Sequence, residues 1–158
     1  MRLKETDKAY VAGFLDGDGS IYVRIKPNKS YRFKFQIAPS VVFFQSKENK
    51  KFLQSIQCLL GIGNIRERKD GICELMIQRE HEIILLLRQI EKYLKLKRKQ
   101  AQLIVKILDQ KQSVKTGHDF VQLTALIDRF EKLNYSKKRK ISAQVVQDTL
   151  EAEDLLTP

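Results

Sequence analysis

The segment VAGFLDGDGSI, residues 11–21, sets two carboxylates, Asp16 and Asp18, two positions apart among Gly13, Gly17 and Gly19. An aspartate is out of place at the C-terminal end of an apolar helix, where the macrodipole favours a cation. Asp-Gly pairs form turns readily, so a plain turn is one reading. A seat for a hard cation is the other. An EF-hand is excluded. Counted from Asp16, Asp18 and Ser20 fit the third and fifth ligand positions, but the required glycine falls on Ile21 and the terminal glutamate on Pro27. Zinc is excluded because Cys58, Cys73, His81 and His118 show no ligand spacing, and each histidine reads as a surface or packing residue. What survives is a carboxylate pair beside flexible backbone. It could give a magnesium-like ion a few oxygens and leave the rest to water and phosphate.

The charge points the same way. Thirty Lys and Arg stand against 19 Asp and Glu, a net charge of +11 and a pI near 9.7, which suits a polyanionic partner. The cations are segregated. From Gly19 to Arg66 come Arg24, Lys26, Lys29, Arg32, Lys34, Lys47, Lys50, Lys51 and Arg66, against the single acid Glu48. The clusters KLKRK (95–99) and KKRK (137–140) follow. This distribution predicts a phosphate-facing surface, and the scarcity of acidic partners weighs against a merely salt-bridged one.

Several elements must position these residues. Thr6 or Asp7 can cap a helix running to about Asp16, on which Ala9, Gly13 and Gly17 form one smooth stripe. SIYVRIK (20–26) and YRFKFQI (31–37) alternate strictly about the turn PNKS, which predicts a hairpin with one apolar and one basic face. SVVFFQ after Pro39 reads as a third strand. Ser46 opens a helix with Phe52, Leu53, Ile56, Leu59 and Leu60 on its apolar side, closed near Gly61. A second hairpin turns at Lys69-Asp70-Gly71, and helices follow at about 80–93, 98–110, 119–133 and 142–152. The expected fold is α+β: an αββαββα core with a curved antiparallel sheet at about 6–111, then C-terminal helices, in one domain over 1–158. No apolar run approaches the roughly 18 residues of a membrane span. Two isolated cysteines and no signal-peptide pattern lead to the expectation of an intracellular, reduced protein without a membrane partner.

VAGFLDGDGSI resembles the motif that names the LAGLIDADG homing endonucleases, with Val11 in place of its first leucine. IKPNKSYRFKFQ, YLKLKRKQA and LNYSKKRK resemble, in the same order, the compact single-motif subgroup encoded in organellar introns, and the likeness spans about residues 8–145. The resemblance implies a homodimer whose motif helices meet along the Ala9–Gly13–Gly17 stripe. Each copy would bring Asp18 and the Gly17 carbonyl to a divalent ion at a scissile phosphate, with Asp16 capping a neighbouring helix end. It implies Mg²⁺, with Mn²⁺ as a substitute and Ca²⁺ binding without cleavage; the ion lowers the pKa of a water and stabilises the leaving oxygen. Gln45 matches the subgroup's solvent-positioning glutamine, and Lys97 its lysine that offsets transition-state charge. One departure stands out. The subgroup often has a basic residue four places after the glutamine, where this chain has Asn49, and Lys50 is the adjacent candidate for the role.

A twisted antiparallel ribbon fits the major groove of double-stranded DNA. Alternation turns Tyr22, Arg24, Lys26, Arg32, Lys34, Gln36, Arg66 and Arg68 away from the core, and the resemblance adds Asn28, Ser30 and Tyr31 at the hairpin tip. Arg and Gln can read base edges, while lysines sit on phosphate. Lys115 and the loop Lys137, Lys138, Arg139 and Lys140 are expected to clamp backbone. The function implied is a site-specific, Mg-dependent endonuclease cutting a long pseudo-palindrome to leave short 3′ overhangs. Its role would be homing of its own intron from a chloroplast or mitochondrial genome. The alternatives are an RNA-binding splicing maturase and a non-cleaving DNA-binding regulator of the same fold.

Overall fold

The computed structural model describes residues 2–134 and 141–156. Helix α1 (Glu5–Asp18) buries Val11, Ala12 and Leu15, each side chain contributing about 1–3 kcal/mol. It starts after Lys4 with no side-chain cap, earlier than Thr6 or Asp7 would set it, because Glu5 and Asp7 in the first turn already complement the macrodipole. It ends two residues beyond the expected stop, so Asp18 is its last residue. The chain passes directly into strand β1 (Gly19–Pro27), and that junction explains Gly19. A Cβ there would lie 2.5 Å from Leu15 Cδ1 and 2.7 Å from the Leu15 carbonyl oxygen.

Strand β1 keeps the alternation, burying Ile21, Val23 and Ile25 and exposing Arg24 and Lys26. The expected second and third strands are instead one strand, β2 (Phe35–Ser46). Pro39 is tolerated inside it because the stretch paired with β4 begins later, at Val41. Residues 28–34 form the connecting tip. The Asn28 side chain accepts from both Ser30 N–H (3.1 Å) and Ser30 Oγ (2.7 Å), and Lys34 adopts φ 60°. Alternation therefore does not govern Tyr31 to Lys34.

After a 3₁₀ turn at Lys47–Asn49 comes α2 (Lys50–Leu60), closed by Gly61 at φ 65°. Strands β3 (Asn64–Glu67) and β4 (Ile72–Ile77) follow, then α3 (Glu80–Ile90), shorter than expected because residues 91–93 tighten into a 3₁₀ turn. The sheet order is β1-β2-β4-β3, with β2 and β3 antiparallel to β4. The order α1-β1-β2-α2-β3-β4-α3 is the expected αββαββα core of an α+β fold. Helices α4 (Arg98–Lys111), α5 (Gly117–Asp128), α6 (Phe130–Leu133) and α7 (Ala143–Ala152) complete the chain. Among the described residues, no helix is long and apolar enough to cross a membrane.

The chain divides into two compact units. Residues 1–22 with 39–105 form the first, whose core includes Leu15, Phe43, Leu53, Leu75, Ile77 and Leu86. Phe14 fastens α1 to β2 and α2, stacking on Phe43 at 5.3 Å and meeting Phe52 edge-on at 5.3 Å. Residues 23–38 with 106–158 form the second. There Phe33 of the tip stacks on Phe120 of α5 at 5.1 Å, and α5 starts from a capping box between Thr116 and Asp119.

Candidate active site

In the first unit, the two aspartates take different tasks. Asp16 is buried, and its carboxylate accepts three backbone amides: Lys95 N–H at 2.6 Å and Leu96 N–H at 3.2 Å on Oδ2, and Lys97 N–H at 2.9 Å on Oδ1. The Lys97 ammonium donates to the Asp16 carbonyl oxygen at 2.5 Å. One residue thus ties down the segment before α4 by both its side chain and its backbone. Its carboxylate is committed to those amides.

Asp18 is exposed at the last position of α1, whose final turn holds no basic residue. The last carbonyls of a helix lack intrahelical partners, and the macrodipole there adds negative potential. An exposed carboxylate beside a glycine carbonyl of the last helical turn, all hard oxygen, fits a magnesium-like ion. Lys97 is half-buried, and burial pulls its ammonium pKa down while the charges of Asp16 and Asp18 pull it back up. The structure therefore gathers Asp16, Asp18 and Lys97, although 79 positions separate Asp18 from Lys97.

Gln45 lies near the end of β2, two residues past the ring-pinned Phe43. Its Oε1 accepts from Ser46 N–H at 2.9 Å and from Asn49 Nδ2 at 3.3 Å. Lys50 turns elsewhere, to Glu67 at 3.3 Å, and Lys47 holds the other oxygen of Glu67 at 3.1 Å. Glu67 is held below the usual carboxylate range by those two lysines, Lys47 first. Asn49, not Lys50, is the neighbour of Gln45.

The expectation that the basic residues lack acidic partners is overturned at Arg66 and Arg68. Arg66 sets Nε at 2.9 Å and Nη2 at 2.6 Å from Glu74 Oε2, and Arg68 reaches Glu74 Oε1 at 3.3 Å and Asp70 Oδ2 at 2.5 Å. Glu74 is buried, so it supports both guanidiniums from the sheet while they stay solvent-facing. The signal was present in the sequence. A hairpin turning at Asp70 pairs residue 66 with residue 74, as the ladder shows. Tyr22, half-buried on β1, is the other expected contact residue of this unit.

In the second unit, Arg24 and Lys26 are exposed on β1, and Asn28, Ser30, Tyr31 and Arg32 occupy the tip, with Tyr31 exposed. The Arg32 guanidinium lies 5.0 Å from the Phe33 ring centroid. Gln36 is half-buried between Phe35 and Ile37. Lys34 departs from its expected place: the left-handed backbone takes it out of strand register, and its ammonium approaches Glu153 at 3.7 Å. Lys115 is exposed just before α5. Lys137, Lys138, Arg139 and Lys140 lie outside the described residues.

Along the motif stripe, Ala9, Gly13 and Gly17 are all exposed. A Cβ added at Gly13 or Gly17 meets nothing within 4 Å, so nothing among the described residues requires a glycine at either place.

A family model for the LAGLIDADG endonuclease matches residues 11–112. DNA endonuclease I-CreI of Chlamydomonas reinhardtii is 36% identical over 144 residues, covering 90% of this chain and 88% of that protein. DNA endonuclease I-CvuI of Chlorella vulgaris is 34% identical over 142 residues, with 90% and 88% covered. The crystal structure of I-CvuI on the I-CreI target, with Mg present and the DNA not cleaved, matches at a TM-score of 0.91 and 31% identity, covering 97% of this chain and 98% of that one.

Proposed function

The chain belongs to the LAGLIDADG endonuclease family, and from that premise we propose that it is a site-specific DNA endonuclease. It works as a homodimer with a divalent ion, cuts both strands of a long pseudo-palindromic site to leave short 3′ overhangs, and so promotes homing of an organellar intron that encodes it. One observation carries the reading: an exposed Asp18 closes α1 while a cation, Lys97, is locked to the same turn by Asp16. A pure binding protein has no use for that pairing.

When bound, a magnesium ion supplies Lewis acidity toward water and phosphate near neutral pH. Asp18 and the Gly17 carbonyl are the residues to hold it. Lys97 offers a positive charge to the phosphate as negative charge builds up, from a fixed position that needs no reorganisation. Gln45 offers hydrogen bonds to the reacting oxygens. Arg66 and Arg68, braced by Glu74, read base edges, and so does Arg24, whereas Lys26 and Lys115 take phosphate. The glycine stripe of α1, unneeded within one chain, is the seam for a second copy, so two Asp18 residues serve two strands.

The test is cleavage of a supercoiled plasmid carrying a site selected from a randomised palindromic library. With Mg²⁺ the wild type cuts; Asp18→Asn loses cutting by several orders of magnitude yet binds as tightly or more so. Lys97→Met slows cutting and keeps binding. Undiminished cutting by Asp18→Asn removes Asp18 from the site. A wild type that cuts no selected DNA and binds intron RNA tightly is a maturase.

A further inference from the structure

Gln45 accepts two hydrogen bonds on one atom, from Ser46 N–H at 2.9 Å and Asn49 Nδ2 at 3.3 Å. A backbone N–H can only donate, so the Gln45 atom facing it is Oε1, and the Asn49 atom sharing that oxygen is its amide nitrogen. The two ends of the Gln45 amide are thereby distinguished. Oε1 is committed to the chain, and what Gln45 has left for a ligand is the donor pair of Nε2. Asn49 stands just before α2, where asparagine is a favoured cap, yet its side chain makes no capping bond. It is spent on Gln45 instead. Lys50, the only cation beside it in sequence on the α2 side, is turned to Glu67.

We propose that Asn49 is a positioning residue that fixes Gln45 as a hydrogen-bond donor toward the oxygens of the scissile phosphate. It serves by orientation at the place where the family resemblance implies that a basic side chain is common. This rests on the endonuclease reading. A glutamine amide has two nearly isosteric orientations that present opposite polarity to a ligand. The wrong one turns lone pairs toward an anion. Asn49 adds the second bond that holds the right one.

The experiment measures single-turnover cleavage with Mg²⁺, affinity for the selected duplex without divalent metal, and thermal melting. It uses wild type, Asn49→Ala, Asn49→Asp, Gln45→Ala and the Gln45→Ala/Asn49→Ala double variant. Asn49→Ala slows cleavage about five- to tenfold, the worth of one hydrogen bond, with affinity unchanged. Asn49→Asp is slower still, because a carboxylate repels Oε1, although aspartate before a helix is at least as stabilising, so its melting temperature holds or rises. In the Gln45→Ala background, removing Asn49 changes the rate by less than about twofold, since its effect passes through Gln45. Three results overturn the proposal: Asn49→Asp cutting like wild type, rate losses that follow melting temperature, or full additivity of the two alanine changes. A wild type that cuts nothing overturns the endonuclease reading and this proposal together, whereas normal cutting by every Asn49 variant overturns this proposal alone.

Discussion

Asp16→Asn and Asp18→Asn are the same chemical change two residues apart, and their effects on stability have opposite signs. The Asp16 carboxylate takes Lys95 and Leu96 N–H on one oxygen and Lys97 N–H on the other. An asparagine keeps only one acceptor. If that oxygen serves Lys95 and Leu96, the new NH₂ faces the Lys97 N–H, donor against donor. Two charge-assisted bonds weaken by about 1 kcal/mol each, and one amide in a half-buried site loses its partner at about 1–2 kcal/mol, a total of about 3–4 kcal/mol. For a chain of this size that is a fall in melting temperature of about 10 °C. Asp18→Asn instead removes an anion from the negative end of α1, so stability rises by about 0.3–1 kcal/mol. Circular-dichroism melts near neutral pH without divalent metal read both. Equal falls for the two variants, or a change below about 2 °C for Asp16→Asn, refute the assignment of Asp16 to the amides.

Gly19→Ala drives its Cβ into Leu15 and costs about 1–3 kcal/mol by urea denaturation. A Cβ at Gly13 meets nothing within 4 Å among the described residues, and in sedimentation Gly13→Leu yields a folded monomer where the wild type is dimeric. Glu74→Gln loosens Arg66 and Arg68, and cleavage selection shows discrimination lost by about 1–3 kcal/mol at the base positions they read. Asp119 is held below its usual pKa by the N–H groups of Lys115 and Thr116 and by the Thr116 hydroxyl. Its stabilisation is complete above the ordinary aspartate pKa and is lost as pH falls through the depressed one. Asp119→Asn therefore melts below wild type at neutral pH, and acid titration closes the gap.

Much of the fold was legible because period decides it. Ile21, Val23 and Ile25 alternate inward as the sequence dictates, and Gly61 ends α2 in the left-handed conformation that its position demands. Alternation failed where local hydrogen bonds outweighed it, at Asn28–Lys34, where a side-chain turn lengthened the tip and took Lys34 out of register. In the site, Asp16 and Lys97 could be paired only through the resemblance, since no local rule links positions so far apart. Glu74 was readable in principle, because hairpin symmetry about Asp70 sets it opposite Arg66, whereas the same symmetry sets Glu67 opposite Cys73 and gives no hint of Lys47 and Lys50. Counting acids along the strand hid Glu74. The neighbour of Gln45 could not be chosen between Asn49 and Lys50 by spacing, and the pull of Glu67 on Lys50 decided it.

Glu5, in the first turn of α1, is bound by Lys92 and Tyr93, and Asp16, in the last, by residues 95–97. The eleven steps from 5 to 16 span about 16 Å of helix, which the 3₁₀ turn at 91–93, the residues after it and the long side chains of Lys92 and Tyr93 cover between them. The stretch from 92 to 97 is therefore moored alongside the motif helix at both of its ends. The two stretches behave as one inherited part. A graft that moves the motif helix into another scaffold without residues 92–97 carries over Asp18 but leaves Lys97 to chance. A recombinant joined between them keeps its chemistry only when both parents share the length of that mooring.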